Sequence, residues 1–79
     1  MTTAQILFAI HNAIKTPYQI DVNEAKDTLT FKYTARHKRY QMVFIGISDI
    51  HSKLQLDVLI KTIQLNIEYH SQKQETKRR

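Results

Sequence analysis

The chain has 79 residues, 42% of them hydrophobic, with one glycine, one proline and no cysteine. A chain of this size buries only about 60–65% of the surface that its unfolded form exposes, so it has room for one small core; without cysteine, disulfides and thiolate metal sites are excluded. The net charge of +5 favours polyanionic partners and argues against a protein that imitates DNA with a negative surface.

The charge is placed unevenly. Residues 28–48 carry Lys32, Arg36, Lys38 and Arg39 and no acid. Residues 71–79 carry Lys73, Lys77, Arg78 and Arg79 against Glu75, and the remainder sets four lysines against six acids. The longest apolar run, Met42–Ile47, has six residues, against the ~20 that a helix needs to cross a bilayer, so no membrane partner is expected. No basic residue precedes Ile6–Ile10, and His11 and Asn12 interrupt that run. A secretory signal is therefore not expected, and the expected location is cytoplasmic.

In chain order, the first helix is expected to start at Thr2 or Thr3. Thr2 and Gln5 have the spacing of a capping box, in which the hydroxyl accepts from one free backbone amide and the amide side chain reaches back to another. Ile6, Ile10 and Ala13, flanked by Leu7, Ala9 and Ile14, repeat at helical spacing. Pro17 disfavours helical geometry at Thr16 and stops the helix there. Phe8 and Lys15 fall on the opposite side.

Tyr18–Val22 alternates with period two and predicts a short strand, and Asn23–Lys26 supplies turn residues. Thr28–Ala35 alternates strictly, with Leu29, Phe31, Tyr33 and Ala35 on one face and Thr28, Thr30, Lys32 and Thr34 on the other. His37-Lys38-Arg39 is expected to connect it to a third strand, Tyr40–Ile47. With residue 36 opposite residue 40, Phe31 meets Ile45, Tyr33 meets Val43 and Leu29 meets Ile47. That register leaves Tyr40, Met42 and Phe44 on the outer face among threonines, Lys32 and Arg36. A slip of one residue, for which Gly46 offers a bulge site, reverses the strand's faces.

Ser48 or Asp49 is placed to cap a second helix from about Ile50 to about His70 or a little beyond. Leu56, Leu59, Ile60, Ile63 and Ile67 form its main stripe; Leu54, Val58, Leu65 and Tyr69 form another on nearly the opposite side. A helix with two apolar stripes is not a simple surface helix, and the second stripe is expected to meet a loop, another subunit or a partner. The expected architecture is α+β in the order α-β-β-β-α: a three-stranded antiparallel meander with two helices packed on one face. Residues 1–70 make the domain, and 71–79, with no apolar residue to dock them, make a basic tail that frays.

This order, with its basic character, resembles the double-stranded-RNA-binding domain in topology over most of residues 2–70. Where that family has a lysine-rich cluster at the start of its second helix, this chain reads Ser48-Asp49-Ile50-His51-Ser52-Lys53. Where the family has a glycine-proline-histidine loop between its first two strands, this chain reads Asn23-Glu24-Ala25-Lys26-Asp27. The resemblance therefore implies topology, and no binding residue is carried over from it.

No catalytic arrangement stands out. His11, His37, His51 and His70 contain no i,i+4 pair for zinc. Asp21, Glu24 and Asp27 lie near a hairpin, where acids are ordinary turn residues. A single glycine cannot build a phosphate loop. No enzyme activity, metal or cofactor is expected. Two binding readings are. In one, Lys32, Arg36, Lys38 and Arg39 neutralise phosphates of RNA or DNA, and Tyr40 and Phe44 stack bases. In the other, Leu54, Val58, Leu65 and Tyr69 form a protein interface, making the chain a small regulator or inhibitor, or a homodimer.

Overall fold

The computed structural model describes residues 2–76, and the side chains of residues 2–71. Helix α1 (Thr3–Ala13) leads into strands β1 (Tyr18–Asn23), β2 (Thr28–Ala35) and β3 (Lys38–Ile45). A 3₁₀ turn (Ile47–Asp49) then precedes helix α2 (Lys53–Thr76). The strands form one antiparallel sheet in the order β1-β2-β3, and both helices cover the same face. The α-β-β-β-α meander is thus the architecture of the molecule.

The capping box at α1 is present: Gln5 N donates to Thr2 Oγ1 at 3.2 Å, and Thr2 N donates to Gln5 Oε1 at 2.8 Å. Ile6, Ile10 and Ile14 turn inward from this helix onto Leu29, Phe31, Tyr33 and Ala35 of β2. Leu56, Leu59 and Ile63 of α2 close the core. β2 is the central strand, which explains its strict alternation: its helix-facing side chains are all buried. Each large aliphatic or aromatic side chain enclosed in this way contributes about 1.5–3 kcal/mol.

The second helix starts later than expected. Ser52, not Ser48 or Asp49, is its cap: Gln55 N donates to Ser52 Oγ at 3.2 Å, and Ser52 N donates to Gln55 Oε1 at 3.1 Å. This is the same reciprocal device that starts α1. Ser48 is engaged elsewhere. Its N–H and hydroxyl both donate to the Asp27 carboxylate, at 2.9 and 2.7 Å. The Asp27 carbonyl accepts from Gly46 N at 2.9 Å and Ile47 N at 3.3 Å. One aspartate thus ties the β1–β2 turn to the end of β3. Gly46 sits at φ 82°, a conformation that costs glycine nothing, and it ends the strand there instead of bulging it. At its other end α2 runs on to Thr76, into the stretch read as a tail; residues 77–79 lie outside the described residues.

The register of β3 corrects the expected one. Leu29 pairs with Phe44, Phe31 with Met42, Tyr33 with Tyr40 and Ala35 with Lys38. The shift is three residues, an odd number, so every side chain of β3 changes face. Its origin is the turn. The strands close through only Arg36 and His37, at φ 52° and 70°. Two consecutive left-handed residues make the two-residue hairpin whose twist matches that of the strands. This turn is usually marked by Asn-Gly; here an Arg-His pair adopts it, and the sequence carries no glycine to announce it.

Candidate functional site

The corrected register decides what the basic hairpin can do. Tyr40, Met42 and Phe44 lie half-buried on the helix-covered face, packed against the core. The Tyr40 ring stacks on His70 of α2 with centroids 3.8 Å apart, and on Tyr33 at 5.5 Å. Tyr33 in turn donates its hydroxyl hydrogen bond to Asn66. Burial, and then the neighbouring Tyr40 hydroxyl, push the Tyr33 pKa above its ordinary value of 10.0. These aromatics fasten α2 to the sheet. Neither Tyr40 nor Phe44 offers its ring on the outer face for base stacking.

The four cations of the hairpin do not all gather on one surface: Lys32 and Arg39 line one groove of the outer face, and Arg36 and Lys38 lie apart from them. Lys32 points to the outer face and pairs with Asp21 of β1 at 2.9 Å. Arg39 is exposed on that same face, opposite Thr34. Arg36 reaches from the turn to the Ser71 carbonyl of α2 at 3.0 Å. Lys38 is exposed on the helix side of the sheet, opposite Ala35. The side chains that replace the expected aromatics on the outer face are Gln41, Val43 and Ile45. That face is therefore mixed, with a polar middle and an apolar end at Val43 and Ile45.

Helix α2 presents a different picture. Leu54, Val58, Leu65 and Tyr69 are 73%, 59%, 55% and 63% exposed. At 100° per residue they fall within one stripe, on nearly the opposite side from Leu56, Leu59 and Ile63. Lys61 and Glu68, also exposed, complete a 4-3-4-3 spacing, the seam spacing of paired helices. A groove of about 510 Å³ runs beside this seam, between Ala13–Thr16 at the end of α1 and Lys61, Gln64, Leu65 and Glu68 of α2. All four residues expected at a protein interface thus stand together on the solvent side.

Sequence reasoning missed one further apolar surface. Ala4, Leu7 and Phe8 of α1 line a groove of about 510 Å³ with Tyr18, Ile20 and Val22 of the edge strand β1. Phe8 alone signalled it. The Asp27 junction and the Tyr40–His70 stack had no signal, because each joins residues far apart in the chain. Among the described residues, no three His, Asp or Glu side chains gather to hold a metal, and no helix is long and apolar enough to cross a membrane. Comparison with known proteins gave no matching family model, no matching curated protein and no matching solved structure.

Proposed function

We propose that this chain is a non-enzymatic binding module that docks on protein through the outer face of α2. The observation that carries this reading is the seam of Leu54, Val58, Leu65 and Tyr69, each more than half exposed, on the side of the helix that the core does not use. Leaving four large apolar side chains in water on one line forgoes stabilisation that a partner surface restores. A regulator or inhibitor acting by occupation needs such a surface and no catalytic groups. The test is capture by the immobilised chain at high salt. Partner retention should persist in salt, because apolar contacts are not screened, and should vanish with Leu65→Asp. Retention unchanged by that substitution, or lost in salt alone, overturns the reading.

A second reading rests on Lys38 and Arg39, consecutive in the chain and exposed on opposite faces of the sheet beside the hairpin turn. These can approach a phosphate backbone without base stacking, giving weak and salt-dependent binding. A titration with duplex and single-stranded nucleic acid at two salt concentrations tests it. Replacing both residues by Glu should weaken binding and flatten the salt slope, and no binding at low salt rejects it.

A further inference from the structure

Which protein the α2 seam accepts can be argued from its own charges. Lys61 and Glu68 are the two charged positions on the seam, of opposite sign, and the chain's two ion pairs among the described residues, Lys32–Asp21 and Lys53–Asp57, use neither. On the helical projection both lie on the same side of the apolar line, toward α1, while Val58 and Tyr69 lie on the other side. We infer that the occupant is a second copy of this chain, its α2 antiparallel to the first, with the two-fold axis passing close to Leu65. The inference rests on the docking reading above and gives that surface its partner.

The geometry follows from symmetry. A two-fold axis perpendicular to two antiparallel helices brings each side of one seam against the same side of the other. With the axis between residues 64 and 65, Lys61 meets the second copy's Glu68 and Glu68 meets its Lys61, on the α1 side. On the other side, Val58 comes level with the second copy's residue 71, within about 3 Å along the helix of its Tyr69, and the two Leu65 side chains approach each other at the centre. The seam from residue 58 to residue 69 then sets opposite charges against each other on one side and apolar side chains against each other on the other. A parallel pairing would instead set Lys61 against Lys61 and Glu68 against Glu68, which repel. The core is not disturbed, because the seam lies opposite Leu56, Leu59 and Ile63. The resulting contact, about three helical turns long, is short for a permanent dimer, so association should depend on concentration.

Sedimentation velocity over a wide concentration series tests this, with circular dichroism to show that each variant stays folded. The wild type should shift from monomer to dimer, and Leu65→Asp should stay monomeric. Lys61→Glu, which sets two glutamates together in each of two symmetric contacts, should weaken association by at least about tenfold, and so should Glu68→Lys. The double variant Lys61→Glu/Glu68→Lys should recover to within about threefold of the wild type, because the pairs are restored with their signs exchanged. A dimer indifferent to the single charge changes, or not rescued by the double variant, overturns the antiparallel arrangement. A monomer at every concentration overturns self-pairing. If that monomer still captures another protein in a Leu65-dependent way, the docking reading survives with a different occupant; if it captures none, both fail.

Discussion

β3 and α2 each carry apolar side chains on two sides, and the two elements dispose of them in opposite ways. In β3 the larger set, Tyr40, Met42 and Phe44, turns under the helices, and the smaller set, Val43 and Ile45, faces solvent. In α2 the inner set is packed into the core, and an outer set of four large apolar side chains is left in water. The sheet has spent its aromatic surface on holding the helix, and the helix has kept surface in reserve. Binding capacity in this molecule is therefore better sought on α2 than on the basic hairpin.

That contrast can be broken by substitutions. The largest effect is expected between the two sides of α2. Ile63→Ala, at a fully buried position, should cost about 2–5 kcal/mol, while Leu65→Ala should stay within about 0.5 kcal/mol; urea unfolding of the two variants measures both. Equal losses would mean that the outer side of α2 also serves the fold.

Next is the pair of faces on β3. Met42→Ala, at a half-buried position against the core, should cost about 1–2 kcal/mol, less than a full core truncation. Val43→Ala on the outer face should cost a few tenths of that. The reverse order would restore the register in which the aromatics face outward.

Tyr33→Phe removes the hydroxyl that holds Asn66 and should cost about 1 kcal/mol. It also carries a pH signature. The Tyr33 pKa is raised in the folded chain, by burial first and by Tyr40 second. Its contribution to stability is therefore complete below the ordinary value of 10.0 and is lost as pH rises through the raised value. The urea midpoint should fall with alkaline pH more steeply in the wild type than in Tyr33→Phe. Parallel pH curves for the two proteins would show that the hydroxyl is not sequestered.

The smallest effect is expected at the turn. His37 occupies φ 70°, where glycine is unstrained, so His37→Gly should raise stability by about 0.5–1 kcal/mol. The basic tip would then be a turn whose composition can be improved for folding. A loss of stability would show that the His37 side chain contributes a contact.

Much of this architecture can be read from local pattern. The strict alternation of Thr28–Ala35 predicts the central strand with both its ends, because a central strand is covered on one face along its whole length. Thr2 and Gln5 predict the start of α1, because a capping box is local. Both stripes of α2 are legible, since 100° per residue fixes their relation whatever surrounds them. The face of β3 is not legible. It depends on parity alone, and parity depends on whether the turn takes two residues or three; a left-handed Arg-His pair leaves no mark in composition. The same holds for Ser48, which reads as a helix cap and serves the Asp27 junction, a contact 21 residues away along the chain. As for the candidate site, the four apolar residues of α2 are legible and the grouping of the four cations is not, because their convergence required the register that the turn rejects.

On the reading proposed above, the outer face of α2 docks on protein. The most direct measurement is retention on the immobilised chain at high salt, wild type beside Leu65→Asp, counting both a second copy of the chain and any other protein retained. Retention by the wild type and none by the folded variant is the expected result. Equal retention by both, or none by either, would contradict it.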